Sequence, residues 1–267
     1  MDFLIEPREL LEAARHGEVL IVDARKPAEY AKGHIPGAIN FSTYDVFATD
    51  TRPGGLAAFV RDIKARYADA GISAHRTVVV YEEDTGMRAA RDAWILQYFG
   101  HPRVRILHGG LVAWRAADCK LSADTASEWT VSMQVREQPG LFVGCEEIAR
   151  RLGQGDVTLL DVRDAAEHAG RDRTPCCARR GRIPGSRWIE WTQFLHGGRF
   201  KSQDAIRGLL REKGVDLNTE IVPYCHRGAR SANTYYALKH AGLPRVRNYI
   251  GSWHEWSARS DLPIEKG

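Results

Sequence analysis

Gly242-Leu243-Pro244-Arg245-Val246-Arg247, running on to Trp256, repeats Gly100-His101-Pro102-Arg103-Val104-Arg105, which runs on to Trp114. Three more anchors lie upstream in the same order. Leu20-Ile21-Val22-Asp23-Ala24-Arg25 matches Leu159-Leu160-Asp161-Val162-Arg163 around a shared Asp-x-Arg. His34-Ile35-Pro36-Gly37-Ala38 matches Arg182-Ile183-Pro184-Gly185-Ser186, and Val78-Val79-Val80-Tyr81 matches Glu220-Ile221-Val222-Pro223-Tyr224. Four anchors in one order mean two copies of one domain. The division expected is a first copy over 1–118, a polar, weakly patterned connector over 119–139 that crosses the surface, and a second copy over 140–267.

Each copy alternates short apolar runs with helical stretches, so the fold class is α/β, two tandem domains, each with a parallel sheet flanked by helices. In the first copy the pattern predicts helices at 7–14, 59–70 and 87–98, and strands at 19–24, 78–81 and 104–107. In the second it predicts helices at 146–152, 205–213 and 231–241, and strands at 157–162 and 221–224. Pro223 departs from a continuous apolar strand because proline gives up a ladder donor; the strand is expected to be ending there.

Composition bounds the function. The 267 residues are 43% hydrophobic and 27% charged, as in soluble globular proteins, and no apolar run approaches a membrane span. The start, Met1-Asp2-Phe3-Leu4-Ile5-Glu6, has no basic region before an apolar core, so a cytoplasmic protein is expected. A net charge of +4 from scattered basic residues gives nucleic-acid binding little support. Five cysteines form no disulfide framework and suit a reducing compartment.

The chemistry concentrates in Tyr224-Cys225-His226-Arg227-Gly228-Ala229-Arg230-Ser231. A strand delivers a cysteine into a cationic loop that leads into a helix. The loop N–H groups of such an arrangement converge on one point, and the helix N-terminus adds partial positive charge. Cys225 is therefore expected to be a thiolate near neutral pH and a nucleophile toward an anionic substrate.

The two copies differ in two places. Glu82 stands where Cys225 does, in a loop Glu82-Glu83-Asp84-Thr85-Gly86 one residue longer, whose carboxylates would repel the anion that the second loop attracts. The first copy is expected to be non-catalytic. The second copy carries an insertion over 170–179, basic, rich in small residues and expected to be an exposed loop, which contains Cys176-Cys177.

The Asp-x-Arg after the first strand, the Ile-Pro-Gly turn, the six-residue Tyr-Cys loop and the terminal Gly251-Ser252-Trp253-His254-Glu255-Trp256 together resemble the tandem-domain rhodaneses, the thiosulfate and 3-mercaptopyruvate sulfurtransferases. The resemblance spans nearly the whole chain. It implies two similar domains, each a five-stranded parallel sheet flanked by helices, with the active cysteine in the second. It also implies a two-step reaction without cofactor or metal. The Cys225 thiolate takes the sulfane sulfur of a small anionic donor such as thiosulfate, sulfite leaves, and the Cys225 persulfide passes its sulfur to cyanide or a thiol, a protein thiol included. In that reading Gly228, Ala229 and their neighbours supply cradle N–H groups, Arg227 and Arg230 present forked donors, and His226 adds charge as pH allows. Arg163 matches a family position that helps bind the donor. Mercaptopyruvate-preferring members carry small, hydroxylic residues after the cysteine, so the cations here point to thiosulfate.

Other readings stand beside these. A cysteine phosphatase or arsenate reductase would need Cys-x5-Arg, whereas here Arg230 closes the loop after four residues and Ser231 occupies the phosphatase position. A non-enzymatic module delivering persulfide to one protein partner is the rival from a different class. The plain alternative for Cys225 is a buried structural thiol, and for Arg163 a structural ion pair with Asp161 or with a helix end. Arg25, Cys119 and Cys145 are read as structural, and Trp188, Trp191, Trp253 and Trp256 as packing the core and the domain interface. Cys176-Cys177 is weighed as a sulfur relay or redox brake against an incidental pair, and the incidental pair is preferred. A zinc role there needs further ligands, and sequence spacing offers none.

Overall fold

A computed structural model describes residues 3–17, 19–69, 76–124, 135–172, 177 and 179–267. The chain divides into two compact units. One comprises Met1–Val46, Val60–Gln138 and Gly197–Phe200; the other comprises Phe47–Phe59, Pro139–His196 and Lys201–Gly267. Packing units therefore do not follow the copy boundary. Phe47–Phe59, which belongs to the first copy in sequence, folds with the second.

The first unit holds a five-stranded parallel sheet in the order Leu4–Ile5, Val104–Leu107, Thr77–Tyr81, Val19–Asp23, Ile39–Asn40. Val78, Val79, Val80 and Tyr81 are all fully buried, as expected of a central parallel strand covered on both faces. The helix Met87–Tyr98 and the strand Val104–Leu107 lie where the hydrophobic period placed them. The helix Pro53–Asp69 begins six residues before the predicted 59, because Pro53 can open a helix although Gly54 and Gly55 break the apolar pattern.

In the second unit Glu220–Tyr224 pairs residue for residue with Val157–Asp161, which in turn pairs with Arg187–Trp188. Single bridges from Ile221 to Val246 and from Phe142 to Asn248 continue the same strand order, with the outer strands shortened. Pro223 lies inside the strand opposite Leu160, and only Tyr224 follows it there. Its carbonyl accepts from Tyr249 N at 3.3 Å. The core of this unit gathers Ile148, Leu159, Val222, Tyr224, Tyr249, Trp253 and Trp256. Cys145 is buried in it, and Cys119 is buried in the core of the first unit. Among the described residues no helix is long and apolar enough to cross a membrane.

The helix predicted over 231–241 is Ala229–His240. Gly228, with φ of 85°, turns the chain into it, so Ala229 and Arg230 form its first turn rather than the end of a loop. The short helix Ser252–Ala258 follows a tight turn and carries Trp253 and Trp256.

Candidate active site

Tyr224 ends the central strand fully buried, its hydroxyl donating to Asp161 Oδ2 at 3.0 Å and accepting from Ile183 N at 3.2 Å. Next comes Cys225, only 1% exposed. Its Sγ accepts a hydrogen bond from Gly228 N at 3.1 Å and lies 3.7 Å from Ser231 Oγ. Its own N–H donates to Ser252 Oγ at 3.0 Å. Ser252 holds φ at 54°, one of two non-glycine residues in the left-handed region among those described. Such backbone strain persists where the surroundings over-determine it. In the first copy the aligned position is Gly110, also left-handed.

Burial alone would push the Cys225 thiol up. The charge of Arg230, the N–H and hydroxyl of Ser231 and the N–H of Arg227 outweigh it, and the pKa falls below the ordinary thiol value. The N-terminus of Ala229–His240 lies at the same sulfur, with the Ser231 N–H bonded to it. The thiol is buried, yet its surroundings favour the anion.

The predicted cations do not act alike. Arg230 is held by Glu167 through two hydrogen bonds of 2.6 and 2.9 Å, so its fork is closed and only its charge reaches Cys225. Arg227 lays its guanidinium 4.2 Å above the Phe47 ring. Arg163 is 1% exposed; its Nε and Nη2 bond Asp161 at 2.9 and 2.6 Å, and Nη2 also bonds Gly181 O at 2.8 Å. It packs 4.7 Å from the Trp253 ring and lines a cleft. The ion pair with Asp161 and a place on the cleft wall thus belong to the same residue. His226 also lines the cleft, but burial, with the charges of Arg227 and Arg230, pushes its pKa down to about 4. The imidazole is neutral around pH 7 and would add charge only in acid.

The cleft, about 300 Å³ with its open mouth, is bounded by Arg163, Glu167, Cys177, Arg179, His226 and Trp253, with Asp172 and the exposed Arg180 at its edge. Trp253 is therefore a wall of the site as well as a core residue. The end of the 170–179 insertion is anchored rather than loose: Arg179 bonds the carbonyls of Trp256, Ser257, Arg259 and Leu262. Cys176 lies outside the described residues, whereas Cys177 is partly buried over the cleft. Sγ of Cys177 and one ring nitrogen each of His226 and His254 lie within 4.8 Å of one another, a donor set that spacings of tens of residues do not reveal.

The first copy repeats this frame with different chemistry. Leu111 N and Val112 N donate to the carbonyls of Glu82 and Glu83, as Trp253 N and His254 N donate to those of Cys225 and His226. Glu82 therefore stands in the place of Cys225. Its carboxylate accepts from Arg88 N at 2.7 Å and Ala89 N at 3.3 Å and fills its own cradle. Burial pushes its pKa up to about 7. Arg25 is tied to Asp23 and to Gly33 O, as its structural reading requires.

Sequence reading missed Ser252, Glu167, His254 and Phe47. Ser252 and His254 both lie in the quoted stretch from Gly251 to Trp256, and alignment of Trp114 with Trp256 sets Ser252 opposite a glycine. The others are brought in by tertiary packing.

A rhodanese-like domain model matches residues 6–117 and again 145–259. The chain is 32% identical to the thiosulfate sulfurtransferase of Azotobacter vinelandii, over 99% of this chain and 97% of that protein. It is 29% identical to the 3-mercaptopyruvate sulfurtransferase of Escherichia coli, over 93% and 92%. The crystal structure of SseA from Escherichia coli, a 3-mercaptopyruvate sulfurtransferase, superposes with a TM-score of 0.79 at 26% identity, covering 95% of this chain and 99% of that one. With the α/β frame present in both copies, the chain belongs to the rhodanese-like family and carries two of its domains.

Proposed function

We propose that this protein is a sulfurtransferase that carries a sulfane sulfur from thiosulfate to a thiophilic acceptor, cyanide or a thiol, as a persulfide on Cys225. One observation supports it most directly: a buried thiol whose Sγ meets the Gly228 N–H at 3.1 Å beside the start of a helix, next to an arginine-lined cleft. Residues 140–267 form the catalytic copy in this reading, 1–118 the inactive one and 119–139 the connector.

The Cys225 thiolate attacks the outer sulfur of thiosulfate; the S–S bond breaks and its electron pair leaves with sulfite. The persulfide left on Cys225 keeps its charge against the amides of Gly228, Ala229 and their neighbours. An acceptor nucleophile then takes the terminal sulfur and the thiolate returns. Arg163 in the cleft and the charge of Arg230 bear on the donor, while Arg227 and the neutral His226 shape the loop.

The cationic cleft and the thiosulfate sulfurtransferases among the relatives favour thiosulfate as donor. A specific observation keeps 3-mercaptopyruvate as the second reading. Glu167 closes the Arg230 fork, so the cleft offers a dianion fewer free donors than the sequence suggests. Incubation with thiosulfate is expected to add one sulfur atom to the wild type, read by intact mass, and none to Cys225→Ser. Equal gain in both, or gain in neither, overturns the reading. Steady-state kinetics with the two donors then decides between them: thiosulfate is expected to have the higher kcat/KM.

A further inference from the structure

Cys177, His226 and His254 come from three different segments: the insertion that the first copy lacks, the residue after Cys225, and the helix Ser252–Ala258. The backbones of His226 and His254 are tied to each other. His254 N donates to His226 O at 3.0 Å, and the two imidazole centroids stand 6.0 Å apart with rings near perpendicular. The His254 ring is braced by the edge of Phe47 at 5.2 Å. Each of the three residues is partly exposed, and Cys177 and His226 face the cleft, so a solute can reach them.

One thiolate and two imidazoles are a borderline-soft donor set. Oxygen-seeking Mg²⁺ and Ca²⁺ do not suit it; Zn²⁺ does. Zinc bonds of about 2.0 to 2.3 Å in a tetrahedron place donors roughly 3.5 Å apart. The observed separations, within 4.8 Å, reach that value if the three side chains turn toward one another. Three protein ligands leave the fourth position open, as in zinc sites that bind a water or a substrate anion.

We propose that Cys177, His226 and His254 bind Zn²⁺ at the mouth of the cleft, with the fourth position open to an anion, and that the bound ion shuts Cys225 off from its donor. The binding stands apart from the sulfurtransferase reading; only the closure rests on it. Glu167 is balanced by Arg230, and Asp172 offsets part of the charge that Arg163, Arg179 and Arg180 set against a dication. The binding releases the Cys177 proton and involves no change of oxidation state.

Co²⁺, as a spectroscopic stand-in for Zn²⁺, is titrated into the Cys225→Ala protein, with Cys225→Ser as a second background. The substitution removes direct capture of metal by the other thiol of the site. One equivalent is expected to bind, with the strong visible bands of tetrahedral Co²⁺ and a thiolate charge-transfer band. In either background Cys177→Ala is expected to abolish the charge-transfer band, and His254→Gln to weaken binding about tenfold or more. In the protein with Cys225 intact, one equivalent of Zn²⁺ is expected to block sulfur loading from thiosulfate until a chelator is added, and Cys177→Ser to load despite it. A charge-transfer band that survives Cys177→Ala, or is absent from both backgrounds, overturns the site. So does binding indifferent to His254→Gln, which would leave Cys177 a thiol acting alone. Zinc inhibition equal in wild type and Cys177→Ser overturns the closure. If no variant loads sulfur at all, the sulfurtransferase reading fails and the cobalt titration still decides the metal site.

Discussion

At Cys225 two opposing effects meet on one atom. Burial in a site 1% exposed disfavours the thiolate, while the Arg230 charge and the amides at the start of Ala229–His240 favour it, and the second group prevails. In the proposed reaction the thiolate is the reacting form, so sulfur loading is expected to fall as pH drops through that lowered pKa. Arg230→Met removes the cation that does most to lower the thiol pKa and leaves Glu167 without its partner. The acid limb of kcat/KM against pH is expected to move up by about one unit or more. Arg230→Met with Glu167→Gln removes both charges and is expected to shift the limb less. Profiles measured with a chelator present check this; a limb that moves in neither variant shows that Arg230 does not set the thiol pKa. The rivals also meet at this residue. Arg230, in the first turn of the helix, turns its fork to Glu167, away from the three equatorial oxygens that a phosphatase arginine would have to hold.

The helix Ser252–Ala258 sets the other side of the cysteine. Its first residue accepts from Cys225 N, its second walls the cleft, and Glu255 locks it in place. That carboxylate accepts from Thr51 N at 2.5 Å, from Thr51 Oγ1 at 2.9 Å and from Tyr249 OH at 2.8 Å, all buried. Thr51 in turn accepts from Cys145 N at 2.9 Å. A buried donor left without an acceptor costs about 1 to 3 kcal/mol. Glu255→Ala strands three such donors and is expected to destabilise the protein by about 3 kcal/mol or more, read as a lower urea midpoint. Sulfur loading should slow with it, because Ser252 and Trp253 lose their support. Glu255→Gln keeps an acceptor and is expected to recover part of both. Strand and helix spans were legible here from periodicity: Met87–Tyr98 and Val104–Leu107 fall where the apolar residues put them. Ser252–Ala258 carries no such pattern long enough to read, since its seven residues are buried on nearly every side.

The whole molecule keeps two copies of one frame and spends the cradle differently in each. Glu82 occupies its own cradle in the first, where its pKa of about 7 lies above the 4.5 of an ordinary glutamate. A carboxyl whose folded pKa is raised contributes stability that is complete below about 4.5 and lost as pH rises toward 7. The rise from 4.5 to about 7 amounts to about 3 kcal/mol. Glu82→Gln keeps an acceptor for Arg88 N and Ala89 N without the charge. It is expected to stabilise the protein by up to about 3 kcal/mol at pH 8 and by almost nothing at pH 4.5, read from urea midpoints at the two pH values. Sulfur loading at Cys225 is expected to stay within about twofold of wild type; a large loss would give the first copy a part in the reaction.

By itself the sequence determined that there are two α/β copies with parallel sheets, and that only the second has a nucleophile at the strand end. Those conclusions rest on local signals: apolar runs of strand length, turn residues at fixed offsets, and a repeat that allows position-by-position comparison. It did not determine what each charged or donor group faces. Arg230 turns to Glu167, Arg227 to Phe47, and Arg163 to Asp161 while still lining the cleft. His226 loses its proton to burial, and Cys177 meets two histidines. Segment 47–59 brings Phe47 and Thr51 into the unit of the cysteine, although its sequence belongs to the first copy. Each of these depends on which atoms lie within a few ångströms across long sequence separations. Burial and charge act through that distance, and a linear pattern does not contain it.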